Sequence, residues 1–233
     1  MCLEHISDYY LPDSSCIMIA VLTYNRPHRK TFDLINKLIY RGYRPEILAT
    51  PWIERKQHTP LIAHRPNGNN MTTEFLARTY DLTYTEIADY SCLKDYDYIL
   101  IGGAGLLPDD VVKNNTIINA HPGYLPNVRG LDALKWAIYE GQPIGVTTHV
   151  VNSEVDSGRL IERNLVPLNK YDTFYSIAMK QYELEIEMLS RAVEQLHQHS
   201  EKIHNQHFRP YRRMPRIKEA ELYERLQNYL KNY

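Results

Sequence analysis

The stretch that decides the fold spans residues 16–49 and reads CIMIAVLTYNRPHRKTFDLINKLIYRGYRPEILA. It begins with a nearly unbroken apolar run over 16–22, which is the pattern of a β-strand buried on both faces. Apolar residues then recur at helical spacing as far as Gly42, where a helix C-cap would fall, and residues 45–49 have the pattern of a second strand. A strand, a helix and a strand in this order form a βαβ unit, which predicts a parallel sheet.

The remaining chain continues this alternation of strands and helices. Further strands are predicted at 98–101, 116–119, 145–151 and 160–166, and further helices at 73–79, from Pro108 onward, at 131–139 and at 171–197. A last helix carries Tyr223, Leu226 and Leu230 on one side. The sequence therefore predicts an α/β fold with a Rossmann-like, mostly parallel sheet, flanking helices and a short C-terminal appendage.

Length and charge limit both the domain count and the class of protein. The chain has 233 residues, so one α/β domain over 1–200 followed by a helical tail over 201–233 is expected. The tail is shorter than the ~40 residues that a chain generally needs to fold alone, so we expect it to pack on the domain or on a partner. The formal net charge of −1 argues against a general nucleic-acid binder, which usually has a strong basic excess.

The cysteines and the first residues exclude several further classes. Cys2, Cys16 and Cys92 include no CxxC pair, which argues against a disulfide framework and a structural zinc site. No apolar run reaches the ~18 residues that a membrane span requires. The start of the chain includes Glu4 and Asp8 and lacks the basic start and apolar run of a signal peptide. A cytoplasmic protein with no membrane partner is therefore expected.

The residues that carry chemistry begin where the predicted strand at 116–119 ends, in the run NAHPGYLPNVRG at 119–130. Open α/β sheets bind their ligands at the carboxyl ends of such strands. Asn119 and His121 are two residues apart, so both side chains leave the same face of an extended segment. An amide donor beside an imidazole has the chemistry to stabilise an oxyanion and to move a proton.

A second motif, GVTTHVV at 145–151, is followed closely by Asp156. A strand ending near His149 and a turn bearing Asp156 are expected to bring a carboxylate beside His121. The carboxylate would orient the imidazole and favour its protonated form. His121, His149 and Asp156 also have the composition of a two-His, one-carboxylate iron site, and the residues alone leave that alternative open.

Basic residues follow the first predicted strand. Arg26, Arg29 and Lys30 lie at the start of a predicted helix, where they would either grip a phosphate with help from the helix dipole or form a solvated helix start. The basic residues of a polar excursion at 51–70 are equally open, as surface charge or as a lid over substrate.

The linked stretches NAHPGYLPNVRG, GVTTHVV and VDSG resemble the formyltransferase family that uses 10-formyltetrahydrofolate, and the resemblance is sharp from about residue 98 to 165. The resemblance implies the formyltransferase fold, 10-formyltetrahydrofolate as co-substrate and no metal. It implies that Asn119, His121 and Asp156 are the catalytic residues. The residues that it implies for the cofactor loop and the turn after GVTTHVV are Gly105, Leu106, Leu107, Asn152, Val155 and Asp156.

The reaction that this resemblance implies is the attack of a primary amine on the formyl carbon of the cofactor. Asn119 and protonated His121 would stabilise the oxyanion that forms. Asp156 would orient His121 and, through an ordered water, help to carry the proton from the amine to the leaving nitrogen.

Departures from the family pattern bear on the amine that is formylated. Glycinamide ribonucleotide transformylases carry a Gly- and Ser-rich phosphate loop where this chain has the basic stretch at 23–30, and methionyl-tRNA formyltransferases carry a C-terminal β-barrel that the tail is too short to form. The run RGLDALKWAI at 129–138 looks closer to the sugar N-formyltransferases, so the resemblance implies a nucleotide-linked amino sugar as substrate. The residues expected to bind it are Arg26, Arg29, Lys30, Tyr124 and Arg129.

Three alternatives to this substrate assignment stay open. The first is a glycinamide ribonucleotide transformylase, and the second is a catalytically silent protein that binds folate or a nucleotide sugar. The third is the two-His, one-carboxylate metal enzyme. A homodimer formed through the tail and the helix at 171–197 is compatible with each of these readings.

Overall fold

The computed structural model describes residues 17–54, 59–66, 68, 70–154, 156, 158–196, 201–203, 209–231 and 233. The strands are β1 (Ile19–Tyr24), β2 (Glu46–Thr50), β3 (Tyr84–Glu86), β4 (Tyr98–Ile101), β5 (Ile117–His121), β6 (Gly145–Val150) and β7 (Arg159–Leu165). The helices are α1 (Arg29–Tyr40), α2 (Thr73–Tyr80), α3 (Asp109–Asn114), α4 (Ala133–Glu140), α5 (Phe174–Ser190), α6 (Ala192–Gln195), α7 (Arg216–Glu219) and α8 (Leu222–Leu230), with a 3-10 helix at Ser91–Asp95.

The seven strands that the described residues form make one sheet in the order β3-β2-β1-β4-β5-β6-β7. β3, β2, β1, β4 and β5 are parallel to one another, whereas β6 and β7 pair antiparallel at one edge. The prediction of a Rossmann-like, mostly parallel sheet is therefore confirmed. The strand order reverses between β1 and β4, and open α/β sheets place their ligands outside the carboxyl ends of the strands at such a point.

β1 is buried along its whole length, as its apolar run predicted, but it ends at Tyr24 rather than at Leu22. Thr23 continues the strand because its hydroxyl lies 2.6 Å from the hydroxyl of Thr31 on α1, so the polar group has a partner inside the protein. Parallel pairing with β2 extends as far as Tyr24. Cys16, at the start of the predicted strand, lies outside the described residues.

Helices cover both faces of the sheet, and alternate strand residues pack in different apolar clusters. On one face Val21 and Ile118 pack with residues of α1 and α5. On the other face Leu22 and Ile117 pack with Val111 of α3. A further cluster joins α4, the first turns of α5 and α8. The sheet is thus covered on both sides, as expected for parallel strands with near-continuous apolar runs.

The helix predicted at 171–197 is α5, which is shorter at both ends. At its start Thr173 and Ser176 form a capping box, in which each side chain accepts a hydrogen bond from the backbone N–H of the other residue. At its end Arg191 leaves the helical conformation with a φ of −104° and pairs with Glu162 on β7. The apolar pattern overestimated the helix because capping and a tertiary ion pair, rather than apolar spacing, set its ends.

Two elements had no signal in the sequence, β3 and the 3-10 helix. β3 is an edge strand of three residues whose Thr85 and Glu86 are exposed, so it shows no apolar alternation. The 3-10 helix buries Leu93 and is too short for a helical period to appear.

The described part of the tail packs on α4. Leu222, Leu226 and Leu230 of α8 lie in the same apolar cluster as α4. The sequence predicted Tyr223 on this side with Leu226 and Leu230, but Tyr223 is 61% exposed and Leu222, one helical turn before Leu226, is buried in its place. Glu219 on α7 and Lys135 on α4 form an ion pair with 2.5 Å between Nζ and Oε1, and both side chains are fully buried. The division of the chain into a domain and a tail stays a prediction.

This enclosed ion pair leads to a prediction about stability. We expect Lys135→Met to lower the free energy of unfolding by about 3–5 kcal/mol, because it leaves the Glu219 carboxylate buried without a counter-charge. Adding Glu219→Gln should recover part of the loss, since a neutral amide still accepts the hydrogen bond that the Leu61 N–H donates to this side chain. Urea unfolding measures both effects, with Lys113→Met on the exposed side of α3 as the matched control. Equal, small losses in the Lys135 and Lys113 variants would contradict the prediction.

Candidate active site

β5 ends at the candidate site and carries Asn119 and His121 on one face. Ala120, which lies between them, packs on the opposite face in the cluster with α1 and α5. Antiparallel pairing with β6 places His149 opposite Asn119 and Thr147 opposite His121. The two motifs NAHPGYLPNVRG and GVTTHVV are therefore side by side in the sheet.

The buried imidazole of His121 is held from two sides. Its Nδ1 lies 3.2 Å from Oδ1 of Asp156, and its Nε2 lies 2.9 Å from the carbonyl oxygen of Val128. Both partners are hydrogen-bond acceptors, so both contacts are satisfied only when both ring nitrogens carry a proton. The geometry therefore suits the cationic form of the ring.

Asp156 lies in a turn with a φ of +47°, which brings its carboxylate back over the end of β5. Its Oδ2 accepts a hydrogen bond of 2.6 Å from the backbone N–H of Gly130. Burial raises the pKa of the Asp156 carboxyl, but the charge of His121, the hydrogen bonds from His121 and Gly130, and the charge of His149 together outweigh burial and lower the pKa to about 2. Asp156 is thus ionised at neutral pH and supplies the negative charge that His121 faces.

The loop after β5 is tied to the sheet and to α5 at several points. The Thr147 hydroxyl donates to the carbonyl of Gly123 at 2.9 Å and accepts from the N–H of Leu125 at 3.0 Å. Gln181 on α5 donates to the carbonyl of Pro122 at 3.0 Å. These bonds hold the loop in the conformation that presents the Val128 carbonyl to His121.

Asn119 is half-buried beside this pair. Among the residues that the structure describes, none forms a hydrogen bond with its carboxamide. Its N–H groups are therefore available to a ligand at the carboxyl end of β5. Asn119, His121 and Asp156, which the sequence singled out together, are brought together here, while their catalytic roles stay a prediction.

The residues predicted to contact the cofactor lie in two segments that border the same apolar cluster. Leu107 of the 102–108 loop and Val151, the residue before Asn152, both pack against this cluster on the α3 side of the sheet. Gly105 is exposed and the side chain of Leu106 is 87% exposed, an apolar surface available for a ring system. The Asn152 side chain accepts from the N–H of Glu154 at 3.0 Å. Val155 lies outside the described residues.

Three basic residues that were predicted to bind substrate have different environments. The Arg26 guanidinium lies 4.8 Å from the ring centre of Trp52 and is exposed. Arg29 pairs with Asp33 on its own helix at 2.6 Å. The Lys30 ammonium donates to the carbonyl of Ala120 at 3.3 Å, directly behind the candidate site. The structure thus leaves Arg26 open to a ligand and the Arg29 side chain 43% exposed beside Asp33, whereas the Lys30 ammonium is bonded to Ala120 and Glu185.

The remaining two predicted substrate residues, Tyr124 and Arg129, point in different directions. Tyr124 lies beneath the Arg163 guanidinium, at 5.0 Å, and lines a cavity of about 630 Å³ that Tyr229 and Tyr233 of the tail also line. Arg129 is buried, and its carbonyl accepts from the backbone of the tail. Neither placement puts the side chain next to Asn119, so their substrate role stays a prediction.

Two polar residues of α5 that the sequence did not single out lie beside the site. Gln181 donates to the carbonyl of Pro122, and Glu185 forms ion pairs with Lys30, at 2.9 Å, and with Arg65. Burial raises the pKa of Glu185, but Arg65 and Lys30 outweigh it and lower the pKa to about 2. Both residues occupy the buried stripe of α5, and a polar residue in such a stripe needs a partner, which is the signal that would have found them.

Two histidines near this ion-pair cluster are neutral at pH 7. Burial first, and then the charges of Lys30 and Arg65, lower the pKa of His28 to about 4. Burial, Arg65 and Lys135 lower the pKa of His64 to about 4 as well. His28 and His64 are thus surrounded mainly by positive charge, although Asp132 lies 3.8 Å from His64, whereas His121 lies 3.2 Å from the Asp156 carboxylate.

The two-His, one-carboxylate metal site is an alternative that the residues alone left open. Among the side chains that the structure describes, no group of three His, Cys, Asp or Glu residues is arranged to hold a metal ion. Both ring nitrogens of His121 face oxygen acceptors rather than an open coordination position. None of the described helices is both long and apolar enough to cross a membrane.

The close approach of Gly123 to His121 leads to a prediction. A Cβ at Gly123 would lie 2.5 Å from the Val128 carbonyl oxygen and 2.6 Å from Nε2 of His121. We expect Gly123→Ala to displace the imidazole and to lower kcat of the expected formyl transfer about 100-fold. The control is Gly68→Ala, where the added Cβ meets no atom within 4 Å. Similar rates for both variants would show that the imidazole position does not limit the reaction.

The low pKa of Asp156 predicts how stability depends on pH. A folded-state pKa of about 2, below the unfolded value of ~3.9, gives stability that is present above the unfolded value and is lost as pH falls through the folded one. Between pH 5 and pH 2 we therefore expect the wild-type free energy of unfolding to fall by about 2 kcal/mol more than that of Asp156→Asn. Urea unfolding across this range measures the difference, and parallel pH curves would disprove the contribution.

Comparison with known proteins places these features in a family. The sequence profile of the formyl transferase family matches residues 56–193, which is more than half of the chain. Phosphoribosylglycinamide formyltransferase of Bacillus subtilis is 28% identical over 152 residues, which cover 62% of this chain and 73% of that protein. Formyltetrahydrofolate deformylase of Synechocystis is 33% identical over 145 residues, 57% of this chain and 51% of that protein. The chain thus spans about half the length of the second relative.

The fold agrees with this match. The structure of a sugar N-formyltransferase from Shewanella superimposes with a TM-score of 0.58 at 18% identity and covers 83% of this chain and 76% of that one. The matched segment includes β5, β6 and the turn that bears Asp156, which are the elements that build the candidate site. The chain therefore belongs to the formyl transferase family of enzymes, as the resemblance of its motifs implied.

Proposed function

We propose that this protein transfers the formyl group of 10-formyltetrahydrofolate to the primary amine of a nucleotide-linked amino sugar. The observation that carries the transfer is the buried His121 ring, held between Asp156 and the Val128 carbonyl, beside the open carboxamide of Asn119. Such a site places a directed donor and a positive charge where negative charge develops during attack on a formyl carbon.

Asn119 and His121 divide the stabilisation of that charge. The Asn119 carboxamide has free N–H groups at the end of β5, so it donates the directed hydrogen bond to the formyl oxygen. The two N–H groups of His121 face Asp156 and Val128, so its contribution is chiefly the field of a nearby cation in a site with little water. Removing one such donor typically costs about 10²–10³ in kcat.

Asp156 orients His121 through the contact of 3.2 Å between its Oδ1 and Nδ1 of the ring. Because its pKa is about 2, the carboxylate is a weak base that relays a proton rather than keeping it at neutral pH. Its side chain is 13% exposed, so a water at its edge has access to carry the proton of the attacking amine to the leaving nitrogen of the cofactor.

The residues near the cofactor loop fit a pterin. The exposed Leu106 side chain offers an apolar surface, and the 102–108 loop borders the same apolar cluster as Val151, which begins the turn that leads to Asp156. When bound, 10-formyltetrahydrofolate supplies the electrophilic formyl carbon. Asn152 and Val155 are proposed as further contacts from the same turn.

The surface beside β1 supports a nucleotide on the substrate. Arg26 and Trp52 form an exposed cationic and aromatic surface after the carboxyl end of β1, and Tyr24 meets the Trp52 ring edge-on with 4.8 Å between ring centres. A positive charge and a flat ring suit the phosphates and the base of a nucleotide. The similarity in fold to a sugar N-formyltransferase supports the same substrate class.

A panel of acceptors tests the proposal. Purified protein with labelled 10-formyltetrahydrofolate is expected to formylate one or more nucleotide-linked amino sugars in a panel, and Asn119→Ala should lower the rate by about 10²–10³. Asn115→Ala is the matched control, because that residue precedes the other end of β5 and donates to the Val111 carbonyl. Equal rates in the two asparagine variants would remove Asn119 from the mechanism.

The same panel separates the proposed substrate from those of the relatives. Formylation of glycinamide ribonucleotide but of no amino sugar would replace the substrate, as the Bacillus subtilis relative suggests. Formate release with every amine inert would indicate hydrolysis, as the name of the Synechocystis relative suggests. Tight binding of folate with neither product would favour a silent binding protein.

A further inference from the structure

The hydrogen-bond partners of the His121–Asp156 pair come from one short backbone segment, residues 128–130. Val128 offers its carbonyl to Nε2 of His121 at 2.9 Å, and Gly130 donates its N–H to Oδ2 of Asp156 at 2.6 Å. Gly130 has a φ of +88°, in the left-handed region that favours glycine. The geometry of the pair therefore depends on how this segment is held.

A segment of the tail, residues 209–219, pairs with 128–130 and is called the strap below. Within it, Tyr211 donates its N–H to the carbonyl of Arg129 at 2.8 Å and accepts from the N–H of Leu131 at 2.9 Å. The two bonds flank Gly130 and form a parallel β-bridge between Gly130 and Tyr211. The residue that donates to Asp156 is thus enclosed by backbone bonds to the tail.

The strap is anchored on α4 by its own contacts. The Tyr211 ring stacks on Trp136 with 4.6 Å between ring centres and 16° between planes, and the Trp136 indole N–H donates to the Arg212 carbonyl at 2.8 Å. The N–H of the buried Met214 donates to Asp132 at 2.9 Å. Asp132 itself has a φ of +55°, two residues after Gly130.

The C-terminal end of the strap, at Glu219, is held by an ion pair and a hydrogen bond. Glu219 pairs with Lys135 inside the protein and accepts from the N–H of Leu61 at 2.6 Å. Breaking these contacts would leave a buried charge unpaired, so the strap has a strong preference for one position. A rigid strap fixes the segment to which it is bonded.

We propose that Tyr211 is a positioning residue of the active site, whose backbone bonds to Arg129 and Leu131 hold Val128 and Gly130 in the places that orient His121 and Asp156. The expected effect on kcat rests on the proposed function. The expected effect on the 128–130 segment rests on geometry alone. The strap is then a part of the catalytic unit although its bonds go to the backbone of Arg129 and Leu131 rather than to the catalytic side chains.

The test removes the Tyr211 N–H with Tyr211→Pro in the full chain. We expect the Gly130 amide to exchange its proton at least tenfold faster by NMR, while sheet amides such as those of Ile118 and Val146 keep their protection. We expect kcat to fall about 10- to 100-fold with little change in KM for the amine. The acid limb of the kcat/KM profile should move to higher pH, because the Asp156 carboxylate loses a hydrogen bond that lowers its pKa.

Among the described residues, the groups that act on the pKa of Asp156 are His121 on β5, His149 on β6 and the Gly130 N–H. The test leaves both histidines unchanged, because replacing either would itself change that pKa. A second variant, Trp136→Leu, removes the stack on Tyr211 and the hydrogen bond to the Arg212 carbonyl but leaves the donor and acceptor of both Tyr211 backbone bonds in place, and it should shift the same readouts in the same direction by less. The control is Leu226→Ala on α8, which weakens tail packing away from the strap and should lower Tm alone.

Two results would overturn the inference. The first is unchanged exchange at Gly130 in both strap variants. The second is a loss of kcat in Leu226→Ala, at equal loss of Tm, as large as in Tyr211→Pro, because the tail would then act only through global stability. If wild-type protein transfers no formyl group, the proposed function fails, and Gly130 exchange still decides whether the strap holds the segment.

Discussion

Charged side chains are buried at the carboxyl edge of this sheet, and each of them needs a partner of opposite sign because a lone buried charge is strongly destabilising. His121 has Asp156, and Glu185 has both Lys30 and Arg65. The partners come from different segments of the chain, so the first pair forms only when the turn after β6 meets β5, and the second only when α1 and the segment that bears Arg65 pack on α5. The requirement for charge compensation therefore joins the fold to the site.

Hydrogen bonds from backbone groups then define the orientation of the paired side chains, which charge alone does not define. An ion pair constrains distance but only weakly constrains orientation, whereas a carbonyl on one side of a ring and an N–H on a carboxylate define both. Val128 and Gly130 supply those two groups, and Tyr211 holds the segment between them. The tail, which is too short to fold alone, is ordered by its contacts with α4. Its backbone bonds then hold the loop that supports the catalytic pair.

Much of this architecture can be read from local patterns, and the exceptions have physical causes. Buried parallel strands have apolar runs, so β1, β4 and β5 were predictable, whereas the exposed edge strand β3 has no such run. The start of α5 follows from the capping box of Thr173 and Ser176, and its end at Ser190 follows from the pairing of Arg191 with Glu162, a contact between distant segments. Glu185 was missed although its place in the buried stripe of α5 signals a hidden partner.

The sequence by itself determined the α/β class, the family, and the presence of Asn119 and His121 on one face of a strand end, because strand period and motif spacing are local properties. The motifs also led to the expectation that Asp156 lies beside His121, and the structure places the two side chains 3.2 Å apart. Only the tertiary structure decided that Val128 and Gly130 hold the pair and that the tail, about 80 residues further along the chain, holds that segment in turn. The formation of these contacts depends on strand register and on the packing of charged groups away from water, neither of which any local pattern encodes.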